Sequence, residues 1–201
     1  MRWILSIVLA ALVAFPLLKE GQHPRELTAG TALRMDLEEV VDRSELVIEA
    51  RVLGATPVLG ENGDVFTDYE LLVDRTYLGE PAGARTIRLP GGMLPTGRGT
   101  IVPGMACPHI GDELVLALTE EAEIGGARLV VGLSQGQYRL VRDGAGSRFA
   151  VREGAAAALV DAGGAPVMEP SSEVFDYADF VARLEAASNA TRARRGEGEG
   201  R

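Results

Sequence analysis

Three places in the chain bring together residue types able to do chemistry. The first is Gly132-Leu133-Ser134-Gln135-Gly136, which spells G-x-S-x-G. In a nucleophile elbow that pattern holds a serine on a sharp turn between a strand and a helix, with a histidine base later in the chain. Arg128–Leu133 supplies an apolar run before the serine, but Gln137–Val141 alternates as a strand does, so no helix is expected after Gly136. The two histidines, His23 and His109, both precede Ser134. His109 with Asp112 provides the order His, Asp, Ser used by another hydrolase class. The enzymatic reading is therefore a serine hydrolase using Ser134 with His109. A serine without a base is inert at neutral pH. The competing reading makes Gly132 and Gly136 the bounds of a turn or bulge between two core strands, with Leu133 and Tyr138 packed inward.

The second place is Cys107-Pro108-His109. Cysteine and histidine both ligate zinc, but a closed structural site takes four ligands and Cys107 is the only cysteine. A thiol-dependent role of Cys107 would exploit a nearby histidine to lower its pKa, whereas the plainer expectation is a small buried apolar residue. The third is the acidic hairpin end Glu61-Asn62-Gly63-Asp64 with Asp68 nearby. It lacks the ligand spacing of an EF-hand loop, and Asn62-Gly63 is accounted for as a tight turn. Gly91-Gly92 follows a strand without either phosphate-loop pattern. These residues assemble no catalytic, cofactor-binding or metal-ligating set, and no cofactor is expected.

Composition narrows the partners. Across 201 residues there are 29 acidic and 20 basic side chains, a net charge of -9. Such a balance, without a basic block, argues against nucleic acid and anionic lipid head groups. Lys19 is the only lysine, so removal of the N-terminus would leave no amine for Schiff-base chemistry. That N-terminus, MRWILSIVLAALVAFPLLKEG, has Arg2 ahead of an apolar run from Trp3 to Leu18. The layout is that of a secretory signal peptide, and the run is short for a membrane span. The expected address is therefore periplasmic or extracellular, with residues 3–18 as a membrane tether if they are retained. Residues 1–32 are read as this leader or anchor plus a linker.

The elements that must position these residues are mostly strands. Asp36 and Glu39 form a capping-box pattern for a short helix carrying Leu37, Val40 and Val41 on one face. From Leu46 the period becomes two, and Leu46–Leu53 with Val65–Tyr77 reads as a hairpin turned at Asn62-Gly63. Thr86–Leu89, Glu113–Leu118, Arg128–Leu133, Gln137–Val141 and Arg148–Val151 are shorter strands. Ala155–Val167 fits either a strand or a helical turn. Pro90–Gly111, dense in Gly and Pro, is the long irregular connection and the place to expect a binding surface. Ser171 and Ser172 suggest a cap for a helix over 171–190 with an apolar stripe of Val174, Phe175, Ala178, Val181, Ala182 and Leu184. Residues 191–201 read as a disordered tail. The expected fold is mainly β, a small antiparallel OB-like barrel over 36–165 with a short N-terminal and a longer C-terminal helix.

Five pieces of the chain carry a resemblance: Ser44-Glu45-Leu46-Val47-Ile48, Thr76-Tyr77-Leu78-Gly79, Pro90-Gly91-Gly92, Ile110–Leu118 and Gly132–Tyr138. Their order over residues 37–142 resembles a loose group of uncharacterised exported bacterial proteins, similar in outline to the small OB-like barrels of netrin and metalloproteinase-inhibitor modules. Those inhibitors act through a disulfide-tethered N-terminal cysteine that this chain lacks, so the resemblance implies a fold and an address without a site. The expected role is a non-enzymatic binding or structural module of the bacterial cell envelope. Its partner would be an envelope protein or a glycan met through Pro90–Gly111.

Overall fold

The computed structural model describes residues 31–122, 125–154, 158–167 and 172–199; the apolar run Trp3–Leu18, read above as a leader or tether, lies outside them. The chain order is β1 (Thr31–Leu33), α1 (Leu37–Asp42), β2 (Leu46–Leu59), β3 (Val65–Leu78), β4 (Ala84–Pro90), β5 (Gly92–Met93), β6 (Gly99–Thr100), β7 (Glu113–Leu118), β8 (Gln137–Arg142), β9 (Arg148–Glu153), β10 (Ala158–Val160), β11 (Pro166–Val167), β12 (Ser172–Asp176) and α2 (Tyr177–Glu199). A seven-stranded sheet in the order β12-β9-β8-β7-β2-β3-β4 dominates, with every pairing antiparallel. The protein is mainly β with a C-terminal helix. Among the described residues no ladder joins β12 to β4, so closure into a barrel is not part of the observed pairing.

The period-two pattern determines this sheet. Leu46, Ile48, Ala50 and Val52 of β2 point to one face and meet Leu71 and Val73 of β3, Ile87 and Leu89 of β4, and Leu114, Leu116 and Leu118 of β7 in one core. Val47, Val115, Ala117, Tyr138, Leu140 and Ala150 point to the other face, where Val40 and Val41 of α1 and Phe180 and Leu184 of α2 cover them. Because the start of β2 is buried on both faces, Leu46–Ala50 reads as a continuous apolar run broken only by Glu49, and exposed Arg51 ends it. The β2–β3 ladder shifts register at Val47/Ile48, Glu49/Ala50 and Val52/Gly54. Each such bulge bends the strands and increases their twist.

Helix α1 is capped as its sequence dictates: Asp36 Oδ1 accepts from Glu39 N–H at 2.8 Å, and Glu39 Oε2 accepts from Asp36 N–H at 3.1 Å. Four expectations require correction. Arg128–Leu133 is not a strand: Arg128 and Leu129 are irregular, Val130 makes a single bridge to Leu118, and turns run from Val131 to Gly136. Thr31–Leu33 is not linker but pairs in parallel with β10, and Met35 is buried in the core. Ser172 begins strand β12, which pairs with β9, so helix α2 starts only at Tyr177. Its cap is Asp176, whose Oδ1 accepts from the backbone of Ala178 and Asp179. Finally, α2 continues to Glu199 where a disordered tail was expected. Arg194 pairs with Asp42, Arg195 donates to Glu45 and the Ser44 carbonyl, and Arg192 reaches the Tyr77 carbonyl. Those tethers supply what the segment's own composition does not.

Candidate functional site

The G-x-S-x-G segment is a double turn whose parts have separate duties. Gly132 (φ 64°) and Leu133 (φ 66°) adopt left-handed backbone in succession. Leu133 is the one non-glycine residue with positive φ among the described residues, so the backbone strain falls beside Ser134 and not on it. A Cβ on Gly132 would run into Met35 Cε and the Gln135 side chain; a Cβ on Gly136 would lie 2.8 Å from the Val131 carbonyl and 2.9 Å from that of Ala117. Gln135 is 1% exposed. Its Oε1 accepts from Met35 N–H at 2.8 Å, and its Nε2 donates to the carbonyls of Leu33 (2.8 Å) and Gly132 (3.2 Å). The glutamine amide thus continues the pairing of the segment between β1 and α1, and the glycines admit the close approach. Neither the strand before the serine nor the helix after it, both required of a nucleophile elbow, is present: Ser134 is followed directly by β8.

Ser134 itself is free of this scaffold. Its Oγ is shielded from solvent and has no hydrogen-bond partner, so no base stands within hydrogen-bonding distance of it. It lines a cleft of about 250 Å³. One wall is the stretch Gly104–Cys107 with His109, from the Pro90–Gly111 connection; the other is Gln137 and Arg139 of β8 with Val151, Glu153 and Gly154 of β9 and beyond. The cleft therefore brings Ser134, His109 and Cys107 to one place. His109 is largely exposed and lies 3.6 Å from Asp112 through Nδ1. Cys107 is exposed, contrary to the expectation of a buried apolar residue, and its Sγ lies 3.8 Å from the Met105 carbonyl.

The connection that makes the first wall is ordered by short ladders, which Gly and Pro density alone does not suggest. Strands β5 and β6 pair Gly92 with Thr100 and Met93 with Gly99. Thr100 Oγ1 accepts from Val65 N–H, and Thr67 Oγ1 donates to the Gly91 carbonyl. At the far end Gly111 N–H donates to Val52 O at 2.9 Å, and Val52 N–H to Asp112 O at 3.0 Å. Gly91 and Gly92 thus form the entry to a hairpin, with φ of 104° and 137°. Ala106 then joins the core formed by β2, β3, β4 and β7.

Register explains why the second wall is polar. Arg139 stands opposite Leu114 and Gln137 opposite Leu116, so both lie on the face whose other half is the aliphatic core. The apolar face therefore runs into a polar margin at β8 and β9. Arg139 pairs with Glu153 across the margin. Besides Ser134 Oγ, the Gln137 Oε1 and Arg139 Nε atoms are buried without partners. Half of the described buried, unpaired side-chain polar atoms thus belong to one cleft, where each costs about 1–3 kcal/mol until something satisfies it.

A second polar cluster lies on the opposite face. Glu49, 4% exposed, accepts from Tyr77 Oη (2.8 Å), Tyr177 Oη (2.9 Å) and Arg148 Nη2 (2.9 Å). Arg148 stacks 4.2 Å over the Tyr177 ring and also reaches Glu113. Burial, then the Glu49 hydrogen bond and charge, hold the Tyr77 phenol above its ordinary pKa. Burial likewise pushes Tyr138 up to about 12. Glu49 is fully engaged and ties the sheet to the first turn of α2; sequence alternation had given no sign of it beyond one charge within an apolar strand.

The remaining candidates resolve simply. Asn62 and Asp64 satisfy each other within the β2–β3 turn, and Asp68 is held by Arg88 through two bonds of 2.6 and 2.8 Å. Among the described residues no group of three or more His, Cys, Asp or Glu is placed to hold a metal ion. Among them, too, no helix is long and apolar enough to cross a membrane. No protein-family model matches the chain, and no curated protein matches it in sequence.

Proposed function

We propose that this protein is an exported binding module of the bacterial cell envelope, acting without catalysis through the cleft between Gly104–His109 and β8–β9. On this reading the curled sheet is an OB-like barrel in outline, and residues 1–32 deliver the chain across the membrane. The observation that carries it is the cleft's make-up: the Gly104–His109 stretch and two paired strands surround three polar atoms that lack partners. A serine hydrolase using Ser134 with His109 is the weaker reading, because Ser134 Oγ has no base at hydrogen-bonding distance.

Cys107 gives the test, being the only cysteine, exposed and in the cleft wall. A thiol-linked benzophenone on Cys107 should cross-link a discrete component of a bacterial envelope fraction. The same group on a Cys107→Ser, Glu185→Cys protein, whose label sits on α2 on the other face of the sheet, should not. Equal adducts from both positions, or none from Cys107, would overturn the cleft as the binding site. Stoichiometric fluorophosphonate labelling that Ser134→Ala abolishes would replace the reading by the hydrolase. A reporter enzyme fused after residue 32 tests export, and its retention in the cytoplasm would remove the envelope address.

A further inference from the structure

We infer that the cleft takes an uncharged, extended peptide segment, one aliphatic side chain against Met105, Ala106 and Val151 and its backbone amides on Gln137 and Arg139. The inference rests on the binding reading above and names its ligand class. Charge is the first argument. Arg139 is paired with Glu153, so the wall offers no unbalanced charge to select an anion or a cation. Hydrogen-bonding capacity is the second. Gln137 Oε1 needs a donor and Arg139 Nε an acceptor, while the Ser134 hydroxyl can serve as either. A backbone amide carries one of each, and rotation of the Gln137 carboxamide leaves that complementarity intact.

Spacing is the third argument. Gln137 and Arg139 are two residues apart on β8 and share a face, which sets their Cα atoms roughly 6.5–7 Å apart. Amides that face the same way in an extended peptide recur at that same interval, so a segment running beside β8 meets both side chains in step. The fourth is the apolar lining. Met105, Ala106 and Val151 are aliphatic and the one ring among the described lining residues is the His109 imidazole, so the site accommodates a small aliphatic side chain and offers no phenyl or indole platform for the face of a sugar ring. The three polar atoms are shielded and unpaired. A ligand that parts the cleft and bonds to them recovers that cost.

The test is ¹⁵N-edited NMR on the intact chain with two probes. One is a library of blocked tripeptides, acetyl-Ala-X-Ala-amide with X = Ala, Val, Leu, Ile or Met; the other is the neutral trisaccharide maltotriose. Saturable shifts with at least one tripeptide, centred on Ser134, Gln137, Arg139 and Gly154, are expected. Gln137→Met, which keeps the side chain's length and removes the amide, should weaken that peptide on the order of fivefold, the equivalent of one hydrogen bond. Ser134→Ala supplies a second variant that leaves the scaffold intact and should weaken it to a smaller degree. Peptide affinity unchanged in both variants would overturn the proposal. Shifts from maltotriose alone would overturn the peptide assignment while leaving the cleft a binding site. Shifts from neither probe would remove the peptide and count against the cleft itself.

Discussion

Replacing Gln135 by methionine separates the scaffold reading of G-x-S-x-G from the catalytic one. The substitution keeps a linear, similarly sized side chain and deletes both the acceptor that holds Met35 N–H and the donor that holds the Leu33 carbonyl, each at 2.8 Å. At 1% exposure water does not replace them. A stranded buried donor or acceptor costs about 1–3 kcal/mol, the donor more than the carbonyl. With the 3.2 Å bond to Gly132 treated as minor, the expected loss is about 2–4 kcal/mol. Urea unfolding followed by circular dichroism measures it, with the slope unchanged if the native fold is retained. Hydrogen exchange at the Met35 amide gives a local readout, because segment 33–35 can open before the sheet does. Ser134→Ala removes an unpaired buried hydroxyl and should leave stability unchanged or slightly raised. A catalytic serine predicts loss of an activity in Ser134→Ala and makes no demand on stability. If Gln135→Met stays within about 0.5 kcal/mol of the parent, the range of an ordinary surface substitution, and Met35 exchange is unaltered, the bracket is not what holds this segment.

Three further outcomes follow from the same structure. Gly136→Ala places a methyl 2.8–2.9 Å from two backbone carbonyls that cannot move independently, and should lower stability by at least about 2 kcal/mol in the same urea assay; an alanine tolerated there would mean the turn is looser than described. Tyr177→Phe removes a donor from Glu49 while keeping the ring under Arg148, so a loss of about 1 kcal/mol is expected, accompanied by faster exchange in the first turn of α2. No change in either would detach α2 from the Glu49 cluster. In Glu113 burial raises the pKa, but the Arg51 hydrogen bond and the charges of Arg51, Arg148 and Arg142 outweigh it and leave the carboxyl below its ordinary value; Asp42 is lowered by its Arg194 hydrogen bond despite opposing burial. A depressed carboxylate contributes stability above its unfolded pKa and loses it as pH falls through the folded one. Thermal stability should therefore drop on acidification below the usual carboxylate range, and less so in Arg51→Gln. An identical acid profile in that variant would refute the Glu113 contribution, and added salt should shrink the exposed Asp42 share first.

What the sequence makes legible here is what depends on neighbours along the chain. The capping box at Asp36, the Asn62-Gly63 turn and the strand Glu113–Leu118 follow from local spacing and occur where spacing puts them, while β2 pairs with β3 six residues beyond the expected Leu53, to Leu59. What depends on distant partners was misread. Arg128–Leu133 has the composition of a strand, yet Gly132 and Leu133 turn left-handed because Gln135 must reach Met35, a hundred residues away. The C-terminal arginines look like a solvated tail until Asp42, Glu45 and two carbonyl groups are brought beneath them. Glu49 reads as an exposed residue on an alternating strand, because its three donors come from β3, β9 and α2.

The cleft combines both kinds of information, which is why sequence motifs pointed near it. G-x-S-x-G and Cys-Pro-His drew attention as catalytic spacings, and the fold does place Ser134, Cys107 and His109 around one cavity. Yet the motif's two glycines and its glutamine are consumed in building the turn. That leaves the serine with no base and with two unpaired polar neighbours from β8. A serine nucleophile needs a base within reach of its hydroxyl, whereas a binding site needs donors and acceptors left open for the ligand. On the proposed reading Ser134, Gln137 and Arg139 meet the second requirement, and the Ser134 hydroxyl has no hydrogen-bond partner to meet the first. Stability should therefore follow Gln135 and the two glycines, ligand affinity should follow Gln137 and Ser134, and substitutions of the two groups should act independently wherever they share no partner.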